Sequence, residues 1–267
     1  MDLLDVLSKV SVLNRDNGRV FTDTTRLDVI QELLDGSEYI RINDDGLFHL
    51  YSKKEIDSLR KEEVIVVSTH VDCEHHITRC FSERIGDGLL KGTYDNSITN
   101  AAILSLMLDH PLPDNVIVAF TGDEEETSIG SIQLARFLKR NGLKIRHIFV
   151  LDVTEVGWEK QADFTVENDF WDDDFGETII EYAERSGYPW RFVPGEPDDI
   201  PEYVPGYRIE HIEAFEDESW DYDEHDIDCC SLCLPSKGEM HCDDGILVRE
   251  SSFRVYTQVL GELLCLK

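Results

Sequence analysis

The sequence predicts an α/β fold, a three-layer arrangement in which helices cover both faces of a mostly parallel mixed central sheet. Two observations carry this expectation. Residues 64–67 form a wholly apolar β-branched run, as expected of a strand covered on both faces, and residues 116–120 and 145–151 read the same way. Segments with helical periodicity, residues 101–108 and 132–138, separate these runs, and alternating strands and helices are the pattern of a layered sheet. A chain of 267 residues with 41% hydrophobic and 30% charged residues can bury a full core. Neither an internal repeat nor a low-complexity linker interrupts it, so residues 1–267 are expected to form one continuous domain.

Taken in order, Leu3, Leu4, Val6, Leu7, Val10 and Leu13 recur at helical spacing, and residues 24–34 do so again before Asp35-Gly36 stops the pattern. Two N-terminal helices follow. Residues 39–42 and 47–51 alternate on either side of Asn43-Asp44-Asp45-Gly46, which predicts a hairpin. Beyond residue 155 the chain is densely acidic, with a helix expected near 176–185 and proline turns at Pro194, Pro197, Pro201 and Pro205; its strand pairing is not legible. Residues 229–234 read as a further buried strand and residues 247–264 as a closing amphipathic helix.

Charge and cysteine usage narrow the function. Twenty-five Lys and Arg against 56 Asp and Glu give a net charge of −31, which repels phosphates, so nucleic acid and anionic membranes are poor partners. Apolar runs fall short of the roughly 20 residues that span a bilayer, and Asp2 and Asp5 stand where a signal peptide carries basic residues. Seven cysteines, an odd number, suit free thiols better than a disulfide framework. A cytoplasmic protein is expected.

Each strongly apolar strand runs into polar residues able to hold a cation. Residues 64–69 lead to His70-Val71-Asp72, residues 116–120 to Thr121-Gly122-Asp123-Glu124-Glu125, and residues 149–151 to Asp152. Ligands of open α/β sheets gather at the strand carboxyl ends, so these groups converge on one crevice. In His70-x-Asp72 both side chains lie on one side of an extended segment, which lets the carboxylate fix the imidazole tautomer. Glu124 and Glu125 supply a ligand and a separate base, two roles a single carboxylate cannot fill. Asp95 opens a helix in Gly92-Thr93-Tyr94-Asp95-Asn96 and His241 lies in the loop after residues 229–234.

Read together, S-T-H-V-D at 68–72, G-T-Y-D-N at 92–96, F-T-G-D-E-E at 120–125, L-D-V-T at 151–154 and M-H-C-D-D at 240–244 resemble the superfamily of co-catalytic di-zinc exopeptidases, which holds aminopeptidases, carboxypeptidases and amide-cleaving deacylases. The order and the intervals match: 25 residues from His70 to Asp95, 30 to Glu125, 27 to Asp152 and 89 to His241. The resemblance implies two zinc ions, His70 and Asp152 on one, Glu125 and His241 on the other, Asp95 bridging both. It implies Glu124 as general base and Asp72 as the orienter of His70. It also implies a single catalytic domain without the inserted lid of many relatives, acting on a peptide or small amide substrate, most simply as an aminopeptidase. A carboxypeptidase or N-deacylase on the same metals, or an inert acidic metal-binding protein, are the alternatives. The chain departs from the usual E-E-x-G-x-x-G by carrying Thr127 for the first glycine, and Asn100 stands where a glycine is common.

Competing readings are weighed beside these. His75 and His76 lie close enough in sequence to rival His70, with a solvated loop as the plainer account. Cys230-x-x-Cys233 with His241 spells a structural zinc site, against which strand alternation points the two thiols to opposite faces. The acidic stretches 172–174 and 213–228 are either a solvated face or a lining that attracts a cationic amino group or calcium, with Glu216, Glu218 and Asp221 as the positions to probe.

Overall fold

The computed structural model describes residues 1–13, 24–44, 47–109, 112–196, 200–210 and 216–266. In chain order the elements are α1 (Leu3–Val10), α2 (Thr24–Leu34), β1 (Ile40–Asp44), β2 (Phe48–Ser52), α3 (Ile56–Leu59), β3 (Glu63–His70), β4 (Ser82–Ile85), β5 (Leu89–Gly92), α4 (Ser97–Asp109), β6 (Val116–Thr121) and α5 (Ile129–Arg140). They continue with β7 (Lys144–Thr154), β8 (Phe164–Phe170), α6 (Asp173–Ser186), β9 (Trp190–Val193), α7 (Glu218–Asp223), β10 (Cys229–Lys237), β11 (Ile246–Arg249) and α8 (Glu250–Leu263). Among the described residues no helix is long and apolar enough to cross a membrane.

Among the described residues eleven strands form one mixed sheet in the order β1-β2-β6-β3-β7-β10-β11-β5-β4, with β8 and then β9 branching from β10. Its parallel character is concentrated in the four central strands β6, β3, β7 and β10, and antiparallel ladders flank them. The sheet forks at β10, whose residues 229–233 pair antiparallel with β8 while Ser236 and Lys237 pair with β11.

One face carries Ile65, Val67, Phe149, Leu151, Leu232 and Phe164 into a core with α1, α2, α4, α6 and α8. The other carries Val64, Val66, Ile117, Ile148 and Val150 into a second core with residues of α5 and α7. Period-two alternation along each strand produces this division, and each buried Val, Leu or Ile contributes about 1.5–3 kcal/mol. Helix α4 lies deepest: Ser97 to Met107 are buried throughout, because the sheet covers one side of it and α1 and α8 the other.

Two segments differ from expectation. Residues 247–264 do not form one helix: Ile246 and Val248 alternate inward as the strand β11, paired with β5 and β10, and α8 begins only at Glu250. The acidic middle holds a complete unit in which β8 and β9 run parallel and are joined by α6. Gly187, at φ 78°, ends α6 in the left-handed region that favours glycine. The hairpin of β1 and β2 pairs antiparallel as expected, although the tip, residues 45 and 46, lies outside the described residues.

Candidate metal centre

Three of the sequence-predicted groups are placed by neighbouring parallel strands. His70 is the last residue of β3 and pairs with Thr121 at the end of β6; Glu124 and Glu125 follow that end, and Asp152 lies near the end of β7. Asp95 precedes α4, joined to Asn96 by a cis peptide, and His241 lies in the loop after β10.

Asp95 is the centre of the arrangement. Its Oδ1 lies 3.0 Å from His70 Nε2 and its Oδ2 lies 3.2 Å from His241 Nε2, so one carboxylate faces a histidine on each side. His70 Nε2 is also 3.9 Å from a carboxylate oxygen of Asp152 and 3.9 Å from one of Glu124. On the other side, His241 Nε2 lies 3.3 Å from Glu125 Oε2. Asp72 faces His70 Nδ1 at 3.5 Å and accepts the backbone N–H of Glu125 at 3.1 Å, tying the two ligand loops together. His70 is buried, whereas His241 keeps 46% of its side chain exposed.

The donor set fits divalent cations. Asp95 Oδ1 is buried and faces the lone pair of His70 Nε2 at 3.0 Å without hydrogen-bond geometry, while His70 Nδ1 is turned to Asp72. Such lone pairs, converging without hydrogen-bond geometry, are satisfied by a cation between them. Electrostatics agree. Burial, reinforced by Asp95 and Glu124, pushes Glu125 up to about 10, and burial raises Asp152 to about 6. Burial also lifts Glu124 well above the usual carboxylate range, with Asp152, Asp95 and Asp72 adding to it and His70 opposing. For Asp95 burial is outweighed by the imidazoles of His241 and His70 that face its two oxygens, which hold it below that range. A cluster of carboxylates that resists ionisation through burial and its own repulsion calls for cationic charge in its midst.

Several nearby groups were not assigned a role from sequence. Glu74 lies 3.9 Å from His241 Nδ1 and shares with Glu125 and His241 a group of ligand atoms within 4.8 Å of one another. His76 Nε2 donates to the backbone carbonyl of His241 at 2.8 Å, and Asp243 accepts the backbone N–H of Thr78 at 2.7 Å. The 74–79 loop thus braces the loop that presents His241. The first Asp of M-H-C-D-D aside, nothing in the sequence pattern marks this brace.

The competing readings resolve residue by residue. His75 and His76 are exposed, and His75 pairs with Glu126 at 3.0 Å rather than reaching His70's partners. Cys230 and Cys233 point to opposite faces: Cys230 meets His147 at 3.2 Å in the core, and Cys233 lines the same cavity as Asp152, Glu125 and His241. Of the three acidic positions singled out for the cavity, Glu216 lines it, but Glu218 and Asp221 do not. Glu218 is buried and accepts Ser68 Oγ at 2.6 Å, and Asp221 accepts Ser131 Oγ; both are spent on internal hydroxyls. Residues 211–215 lie outside the described residues.

The departures from the motif are accommodated. Thr127 sits at an ordinary negative φ, and the left-handed positions are Asp123 and Ser128, so losing the first glycine costs no strain at 127. Gly130 is required, since a Cβ there would lie 2.3 Å from the Gly122 carbonyl oxygen. Asn100 donates to the carbonyl of His70 at 2.8 Å, securing the strand end where a glycine would leave it free.

A cavity of about 240 Å³ opens from these groups, lined by Glu74, Asp95, Glu124, Glu125, Asp152, Val153, Thr154, Glu167, Glu216, Asp217, Cys233, Met240 and His241. A larger hollow of about 770 Å³ beside Trp171 and Tyr203 shares no residue with it.

Comparison with known proteins is consistent with this geometry. Residues 53–223 match peptidase family M28. No curated protein matches the chain by sequence. Among solved structures, a TET aminopeptidase from a marine sediment thaumarchaeote superposes with TM-score 0.72 at 9% identity, covering 98% of this chain and 96% of that one. The Pyrococcus horikoshii TET1 peptidase gives 0.67 at 11%, covering 98% and 99%. The Legionella pneumophila LapA aminopeptidase gives 0.62 at 14%, covering 99% and 70%. At these identities the likeness shows a shared fold.

Proposed function

The chain belongs to peptidase family M28 and is a metallopeptidase-type hydrolase, and from that premise we propose that it is a di-zinc aminopeptidase releasing N-terminal residues from peptides. Residues 1–267 act in this proposal as one catalytic domain. The observation that carries it is Asp95, whose two oxygens face His70 and His241 in opposite directions as a bridging carboxylate does. His70 and Asp152 would hold one zinc, Glu125 and His241 the other. Two bound zinc ions supply a Lewis acid for the scissile carbonyl and lower the pKa of the attacking water.

The chain's own groups do the remainder. Glu124 is the general base: burial and the carboxylates around it make it a stronger proton holder than an ordinary glutamate, suited to taking the water proton and returning it to the leaving amine. Asp72 keeps His70 oriented and fixes the backbone of Glu125. The cavity is smaller than the roughly 300–1,000 Å³ of drug-sized ligand pockets and so suits a single terminal residue.

Its lining also favours a free amine over a free carboxylate. Eight of the lining residues are Asp or Glu and none is Lys or Arg, so a carboxypeptidase substrate would bring its terminal charge against like charges. An inert metal-binding role leaves Glu124 without a purpose. The seven free thiols suit a reducing compartment, and the cytoplasm is the proposed location.

The test is a panel of aminoacyl, N-acylated and C-terminally free substrates, assayed with and without chelator. Cleavage of free-amine substrates alone, abolished by chelation, is the expected result. Cleavage confined to N-acylated substrates would replace this reading with a deacylase.

A further inference from the structure

The far end of the same cavity has a feature that the peptidase reaction does not use. Cys233 of β10 pairs with Asp152 on one side and with Thr165 of β8 on the other, so these three side chains share a face of the sheet. Glu167, two residues along β8 and therefore on the same face, pairs with Ser231. Asp217, from the residues before α7, accepts the Ser231 hydroxyl, which sets it above the same spot. Strands lie about 4.8 Å apart, so crossing β10 places Glu167 roughly 10 Å from the Asp152 strand, within reach of a long side chain on a substrate held at the metals.

Glu167 is only 4% exposed, yet no Lys or Arg among the described residues pairs with it. Its hydrogen bonds come from hydroxyls, Thr165 at 2.6 Å and Thr154. A buried carboxylate is costly unless a cation answers it, and here the open side is the cavity, where Glu216 and Asp217 join it. Burial, reinforced by Asp217 and Asp152, pushes Glu167 up to about 7.

We propose that Glu167 and Asp217 form a specificity pocket for a cationic side chain, so that the preferred N-terminal residue is lysine, arginine or a similar long-chain amine. The inference rests on the aminopeptidase reading and adds a substrate class to it. Glu167 is the direct contact and Asp217, held by Ser219, Ser231 and Asn168, fixes the field around it.

The experiment compares zinc-loaded wild type on lysyl and norleucyl substrates, which share a four-carbon side chain and differ in the terminal ammonium. The expected lysyl-to-norleucyl ratio of kcat/KM is about tenfold or more, and it collapses toward one in Glu167→Gln, mainly through KM. A wild-type preference for norleucine overturns the pocket while leaving the aminopeptidase reading intact, and failure to cleave either substrate with zinc bound overturns the reading itself. Should Glu167→Gln fail to fold, the wild-type ratio and its decline with added salt decide the matter; a ratio near one contradicts the proposal.

Discussion

The two ends of the cavity are built differently. At the metal end, His70, Glu124 with Glu125, and Asp152 are delivered by the ends of three adjacent parallel strands, β3, β6 and β7, whose register is fixed by apolar residues buried on both faces. At the far end, Glu167 and Asp217 meet only because β8 pairs antiparallel with β10 and the residues before α7 fold back over Ser231. Local sequence determines the first end, and long-range register determines the second. The first is therefore expected to specify chemistry and the second to specify the substrate.

The sharpest way to break this division is to remove the base. Glu124→Gln is expected to retain both metals and lower kcat by about a hundredfold to ten-thousandfold, checked by metal analysis alongside steady-state kinetics; turnover near wild type would take Glu124 out of its role. A smaller effect follows from Asp72→Asn, which disturbs the orientation of His70 and the backbone of Glu125 without removing a ligand. Zinc affinity or activity should fall by about 10–100-fold, read by competition with a chromogenic chelator, and unchanged affinity would reduce Asp72 to a bystander.

Two buried acids, Glu167 at the far end and Glu218 away from the cavity, make a gentler prediction through pH. Burial raises Glu167 and Glu218 from 4.5 to about 7, so the folded chain holds protons that the unfolded chain releases. Their contribution to stability is complete below pH 4.5 and is lost as pH rises through 7. In the metal-free protein Tm is expected to drop by about 5 °C or more between pH 5 and pH 8. A Tm that rises over this interval in thermal unfolding would show that these carboxyls are ionised in the fold.

The same contrast explains what could be read from sequence. His70, Asp95, Glu124, Glu125, Asp152 and His241 stand in short motifs beside apolar runs, and those runs announce their strands. Strand β8 hid because only one of its two buried faces is apolar, with Phe164 and Val166, while the other carries Thr165 and Glu167. Glu218 hid likewise, as a fully buried acid inside an acidic run that composition assigns to the surface. Strand β11 was absorbed into the following helix because four residues are too few to establish a period. The brace from His76 and Thr78 to the His241 loop spans about 165 residues and leaves no local trace.

The bridging role proposed for Asp95 is tested most directly by titrating the chelator-stripped protein with zinc while following both heat and hydrolysis of a free-amine peptide. The account predicts saturation at two zinc ions per chain, with hydrolysis appearing as they bind, and loss of the paired binding in Asp95→Asn. Two zinc ions bound with no hydrolysis of any free-amine peptide, or pairwise binding undiminished in Asp95→Asn, would contradict it.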